Sequence, residues 1–220
     1  MEPRALLTLS NAQVAIEAVA IVAFALSGLI EAARKRLDAV GVVVVAGLTA
    51  FGGGTLRDVL LDRRPFFWVQ HAAWLWALLL LCIVAMAVLR ARHLAPTERA
   101  MQWPDALGMG LFAAGGTQIA LAAQMPAIVA VLMGMVTAVF GGVLRDIVCN
   151  QIPSAFSDHR PYALCAFAGG WAVVGAQAAG WGEGAALAAG AAMAGALRVV
   201  VLLTGWRLPA WVAIEPRQDR

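Results

Sequence analysis

The chain has 220 residues, 62% of them hydrophobic and only 13% charged, and its mean hydropathy is +0.80. A soluble domain carries about a quarter charged residues, so this composition excludes an ordinary soluble domain and places the chain in a bilayer. The net charge of +3 calls for no nucleic-acid partner, because a basic rim facing anionic lipid headgroups accounts for it.

Seven apolar runs bounded by charge, proline or glycine follow in chain order, near Ala12–Ala32, Ala39–Leu61, Ala72–Leu89, Asp105–Ala123, Pro126–Cys149, Pro161–Ala179 and Gly184–Leu203. Most reach the roughly 20 residues that a helix rising about 1.5 Å per residue needs to cross a hydrocarbon core about 30 Å thick. The runs are continuously apolar rather than alternating, which argues against barrel strands. The predicted class is an all-α integral membrane protein with seven transmembrane helices in a single membrane domain.

The first run is longer than a signal-peptide core, contains Glu17 and is preceded by only one basic residue, Arg4, so no cleavable signal is expected. Glu17 either snorkels to the interface or lines a polar path. The second run ends in "FGGGTLRDVLLDRRP", Phe51 to Pro65, and the fifth in "VFGGVLRDIVCNQIP", Val139 to Pro153. In the seventh, Gly184, Ala188, Ala192 and Gly195 form a small-residue stripe for packing inside the protomer or between protomers. Arg198 in the same run meets either lipid headgroups or a carboxylate in the bundle. Cys82, Cys149 and Cys165 lack CxxC spacing and read as small buried residues. His71, His93 and His159 lack metal spacing, and no metal or other cofactor is expected. Trp68, Trp74, Trp103, Trp181, Trp206 and Trp211 sit near run ends, as interfacial anchors do.

Seven spans place the N-terminus on the side that holds Arg4, Arg63 and Arg64. The other side holds Arg34, Lys35, Arg36, Arg90, Arg92, Arg99, Arg160, Arg207, Arg217 and Arg220. The positive-inside rule makes this second side cytoplasmic, with the N-terminus outside. "RARHLAPTER" reads as part of that basic rim.

A shift of 88 positions lays Phe24–Pro65 on Phe112–Pro153 without a gap, and 14 of the 42 aligned positions are identical. They include Gly28/Gly116, Thr49/Thr137, Gly53/Gly141, Gly54/Gly142, Arg57/Arg145, Asp58/Asp146 and Pro65/Pro153, while Glu17 falls on another acid, Asp105. The unit holds three spans, an odd number, so its second copy enters the membrane inverted. The expected architecture is an inverted 3+3 repeat, residues about 12–92 and 104–180, with a seventh helix at about 184–205. Such repeats bring paired polar elements together near mid-depth.

Gly52, Gly53 and Gly54, and Gly141 and Gly142, lack side chains and are expected to kink their helices, freeing backbone groups to line a hydrophilic path. Carbonyl oxygens freed there are hard ligands for a monovalent cation. Each intramembrane arginine or aspartate costs about 2.5–3.5 kcal/mol on insertion scales, so each must be paired or wet. Adjacent helical residues do not face each other. Repeat symmetry therefore nominates Asp146 or Asp105 as partner of Arg57, and Asp58 or Glu17 as partner of Arg145. These charges act as a clasp between the halves, as path lining, or as both.

At the paired Gly-Gly-x-Leu-Arg-Asp motifs, the sequence resembles the prokaryotic trimeric intracellular cation (TRIC) channel family, also described as a bacterial glycine transporter family. The resemblance covers about residues 12–205. It implies a homotrimer in the prokaryotic plasma (inner) membrane, a pore in every subunit, a 3+3+1 helix arrangement, and potassium and sodium passing the glycine kinks of the second and fifth helices. Phe140 stands where the first repeat has Gly52, so a stiffer second kink is expected. No Thr-Val-Gly-Tyr-Gly filter occurs, so strong selectivity for potassium over sodium is not expected. The function expected is a potassium-permeable monovalent-cation channel. The alternative is a secondary carrier for a small amino acid such as glycine, since broken inverted helices also suit alternating access. Without HExxH, GxSxG or a spaced carboxylate pair, no enzyme is expected.

Overall fold

The structure, a computed structural model, describes residues 11–92 and 97–209. Arg4, His93, Trp211, Arg217 and Arg220 lie outside the described residues, as do the side chains of Arg90 and Arg92. All regular structure among the described residues is α-helical: α1 (Asn11–Arg34), α2 (Ala39–Leu60), α3 (Phe67–Gln70), α4 (Ala73–Arg92), α5 (Glu98–Ala122), α6 (Ala127–Val148), α7 (Ser154–Ser157), α8 (Ala163–Ala178) and α9 (Glu183–Thr204). Among them α1, α2, α6 and α9 are long and apolar enough to cross a membrane, and shorter apolar stretches occupy Ala73–Val88 and Ala163–Ala178.

Local chemistry sets the helix ends. Asp38 caps α2 by accepting the Gly41 N–H at 2.8 Å, which satisfies one of the donors a helix start leaves open. Thr97 does the same for α5 at Ala100 N, 3.1 Å. That cap starts α5 seven residues before the expected Asp105, and Pro104 is accommodated inside the helix. At the other ends, Arg36, Asp62, Gln124 and Asn150 adopt left-handed backbone with φ between 51° and 60°, closing their helices as αL caps do. Arg36 and Gln124 are 88 positions apart, and so are Asp62 and Asn150. The bounds of α2 and α6 differ by 88 at both ends.

The core is built where α1 meets α5 and α2 meets α6, with α1 also on α2 and α5 on α6. Phe24 and its repeat counterpart Phe112 pack ring to ring, centroids 5.3 Å apart. Helix α9 packs on α5 and α8, and α4 lies against α2 and α1.

Helix α2 is helical throughout Gly52–Gly54 and α6 throughout Gly141–Gly142, and none of these glycines has a positive φ. Their smallness serves contact. A Cβ on Gly53 would overlap the Thr137 carbonyl oxygen, and one on Gly141 would overlap that of Thr49. The motif arginines, Arg57 and Arg145, lie in the last turns of α2 and α6. In α9, Gly184, Ala188 and Ala192 face outward, whereas Ala186, Leu187, Gly190, Ala194, Arg198 and Val201 form the buried face. Gly195, the fourth member of the expected stripe, packs on α5 instead, where a Cβ added to Gly110 would lie 3.1 Å from the Gly195 nitrogen, so the stripe is divided between the two roles. Trp68 is tied inward, donating to Thr55 Oγ1 at 3.0 Å and stacking on Phe51. Cys82, Cys149 and Cys165 are free and buried.

Candidate functional site

Two clusters of buried charge form at the C-terminal ends of α2 and α6. In the first, Arg57 Nη1 meets Glu17 Oε1 at 3.1 Å, and Arg57 Nε donates to Asp58 Oδ1 at 3.0 Å. In the second, Arg145 Nη1 meets Asp105 Oδ1 at 2.7 Å, and Arg145 Nε meets Asp146 Oδ1 at 2.8 Å. All six side chains are buried.

The partners expected across the repeats are therefore wrong. Each arginine binds an acid of its own half together with its own sequence neighbour. The reason is geometric: α1 and α2 pack against each other across a short connection, so Glu17 and Arg57, nearly equidistant from that turn, come level. An arginine side chain is also long enough to fold back onto the adjacent carboxylate, a reach that backbone direction alone does not reveal. Glu17 does not snorkel; it is 4% exposed and paired.

Each motif aspartate has a second task. Asp58 Oδ2 accepts the Phe67 N–H at 3.0 Å, and Asp146 Oδ2 accepts Ser154 N–H at 2.8 Å and Ser154 Oγ–H at 3.0 Å. The aspartates thus hold the starts of the short helices α3 and α7, each of which follows a repeat proline, Pro65 or Pro153. The Arg-Asp…Pro spacing is explained by this hold, since an unpaired N–H in an apolar interior costs as much as a lost hydrogen bond.

The surroundings of the clusters differ. Phe67 covers the first: its ring lies 5.4 Å from the Arg57 guanidinium, and a Cβ on Gly54 would stand 2.5 Å from that ring. Arg63 adds a second cation, Nη1 to Asp58 Oδ1 at 3.4 Å; burial lowers its pKa from the ordinary value while Asp58 pulls it back up. In the second cluster Ser27 of α1 accepts from Arg145 Nη1 at 2.6 Å and donates to Asp105 Oδ1 at 3.3 Å. Beside Gly142 there is space: an added Cβ would lie 3.6 Å from Arg145 Nη2 and 3.8 Å from both Asp105 Oδ1 and the Tyr162 hydroxyl. Gly52 faces away from the charges, toward Leu144 and an apolar cavity of about 580 Å³ between α2, α4 and α6.

Among the described residues no carboxylate is hydrogen-bonded to Arg198 Nε or Nη1. Arg198 is buried, with its guanidinium 4.6 Å from the centroid of the Tyr162 ring. Ser27, Glu31 and Tyr162 were not anticipated. Glu31 is 1% exposed and accepts from Gln151 Nε2 at 2.9 Å. A lone glutamate, serine or tyrosine inside an apolar run was the available signal. No group of three or more metal-ligating side chains occurs among the described residues.

A family model described as "Glycine transporter" matches residues 14–90 and 102–178, two segments again displaced by 88 positions. A UPF0126 membrane protein of Deinococcus radiodurans is 31% identical over 92% of this chain and 91% of its own length. A UPF0126 membrane protein of Vibrio cholerae is 35% identical over 67% of this chain, and the match spans 61% of that protein. The solved structure of the TRIC trimeric intracellular cation channel orthologue from Rhodobacter sphaeroides superposes with a TM-score of 0.82 at 32% identity, covering 90% of this chain and all of that one. The duplicated backbone, the doubled motif and these likenesses agree, and the chain belongs to the glycine-transporter family, which is the TRIC channel family.

Proposed function

We propose that the protein is a potassium-permeable monovalent-cation channel with a path in each protomer along α2 and α6. The observation that carries this reading is the likeness to the Rhodobacter channel over nearly the whole chain. In this reading α1, α2, α4, α5, α6, α8 and α9 are the seven spans of one membrane domain. The second repeat is inverted relative to the first, with the N-terminus outside and the C-terminus in the cytoplasm of a prokaryotic cell whose plasma membrane it occupies. Protomers assemble as a homotrimer, as the Rhodobacter protein's description says of that channel. Membrane lipids surround the assembly, and potassium or sodium is the permeating species rather than a resident cofactor.

Gly52, Gly53 and Gly141 allow the two path helices to approach, while Gly54 and Gly142 border the two charge clusters. Glu17, Arg57 and Asp58, and Asp105, Arg145 and Asp146, brace the two ends and set the field there. Buried and neutralised clusters of this kind keep charge at the path without an unpaired ion in the bilayer.

The family model's description favours a second reading, a carrier for glycine. The two are separated in liposomes containing the purified protein, by comparing potassium-driven flux with labelled-glycine counterflow. Conductive potassium flux without counterflow supports the channel. Saturable counterflow without conductance overturns it in favour of the carrier.

A further inference from the structure

The first cluster holds two carboxylates, Glu17 and Asp58, and two guanidiniums, Arg57 and Arg63. Its charges balance. The second holds Asp105 and Asp146 but, among the described residues, has only Arg145 in direct contact. The repeat counterpart of Arg63 is Gln151, which is neutral and turned to Glu31. One buried negative charge is therefore left over in the second half.

Arg198 carries the opposite surplus. It is 4% exposed, and its Nε and Nη1 have no hydrogen-bond partner among the described residues. Its guanidinium lies on the face of Tyr162, whose hydroxyl borders the same space beside Gly142 as Asp105 Oδ1 and Arg145 Nη2. A single aromatic ring thus separates the unpaired cation from the cluster with the extra carboxylate. In a low-dielectric interior, charges at that separation interact strongly. Helix α9, which brings Arg198, has no counterpart in the first half and packs on α5 and α8.

We infer that Arg198 is a positioning residue and the second cation of the Asp105–Asp146 cluster, supplied by α9 in place of the arginine that the second half lacks at position 151. The seventh helix then completes the electrostatics of the second repeat as well as covering it. Tyr162 is the spacer, holding the Arg198 guanidinium by its ring face. The inference concerns charge balance alone and does not depend on whether the protein conducts ions or carries glycine.

The test is a thermal-unfolding cycle on the purified full chain in detergent, with wild type, R198M, Q151R and R198M/Q151R. Loss of one member of a buried charge cluster is expected to lower the R198M midpoint by about 5 °C or more. An arginine at 151, placed as Arg63 is in the first half, recovers at least half of that loss. Its gain must be larger in the R198M background than in the wild type, because Glu31 offers it some stabilisation in either. Arg198→Lys, which keeps the charge, retains at least half of the wild-type margin. Equal gains from Q151R in both backgrounds, or no recovery by either Q151R or the lysine, would overturn the inference and leave Arg198 a packing residue. Should R198M fail to fold, a folded double variant supports the inference and an unfolded one overturns it. Unfolding midpoints require no flux, so a failure of the channel reading leaves this result standing.

Discussion

Gly53 of α2 lies directly on the main-chain carbonyl of Thr137 in α6, and the relation is repeated with the helices exchanged, Gly141 on Thr49. The four residues are two repeat pairs, so one contact is made twice about a local two-fold relation between α2 and α6. A methyl group on Gly53 or Gly141 has nowhere to go, because a backbone oxygen stands in its place and cannot rotate away. Gly53→Ala or Gly141→Ala is therefore expected to destabilise the protein by about 1–3 kcal/mol or more, as overpacking does. Gly142→Ala, whose new Cβ would meet nothing closer than 3.6 Å, leaves the unfolding midpoint within about a degree. Thermal unfolding of the three variants checks both halves of the prediction, and equal loss in all three would contradict it.

Arg57 is the hub of the first cluster, fully buried between two acids. Arg57→Met strands Glu17 and leaves Asp58 only Arg63 and the Phe67 N–H, and is expected to cost about 3–5 kcal/mol. Glu17→Gln costs less, because Arg57 retains Asp58. A double-mutant cycle between positions 17 and 57, read by chemical or thermal unfolding, should return a coupling of about 1 kcal/mol or more; additivity would mean that the pair is not formed.

Asp146 fastens α7 through Ser154. Asp146→Ala frees that N–H, and amide exchange at residues 154–157 is expected to rise by at least tenfold, while Asp146→Asn, which keeps an acceptor, has a smaller effect. Hydrogen-exchange mass spectrometry of the peptide containing α7 decides this. Unchanged exchange in the alanine variant would show that α7 is held by other contacts.

Cys82, Cys149 and Cys165 are at most 7% exposed. A maleimide reagent is expected to label none of them in the folded protein within minutes and all three after denaturation. Rapid labelling of Cys82, at 0% exposure, would reveal an opening between α4 and its neighbours.

Most of the long helices were legible in the sequence because each is built on an apolar run ended by charge, proline or a left-handed cap, whereas the polar first two turns of α5, Glu98 to Pro104, gave no such signal. The bounds of α2 and α6 fall within one residue of those runs. Helices α3 and α7 were not legible, since four residues carry no periodic signal. Their anchors, Asp58 and Asp146, were visible only as intramembrane charge. Of the two buried clusters, the arginines and acids were visible in the sequence and their pairing was not. Spacing along a helix says where a Cβ points, and the length of arginine overrides it. The glycines stood out for the missing side chain, and at Gly53 and Gly141 that lets the facing helix come close, a contact that one helix's sequence does not reveal. Arg198 stood out as a lone charge, yet only the fold puts it on Tyr162.

The left-handed caps carry one last implication. Arg36 and Gln124 share no chemistry, and Asp62 and Asn150 are related but not identical, yet each pair holds the same backbone shape at the same place in its half. Ancestry in this protein is written in dihedral angles at posts where residue identity has already been erased. Comparing the halves letter by letter thus understates their kinship, and the side chains at these posts have been free to diverge, each answering to its own side of the molecule.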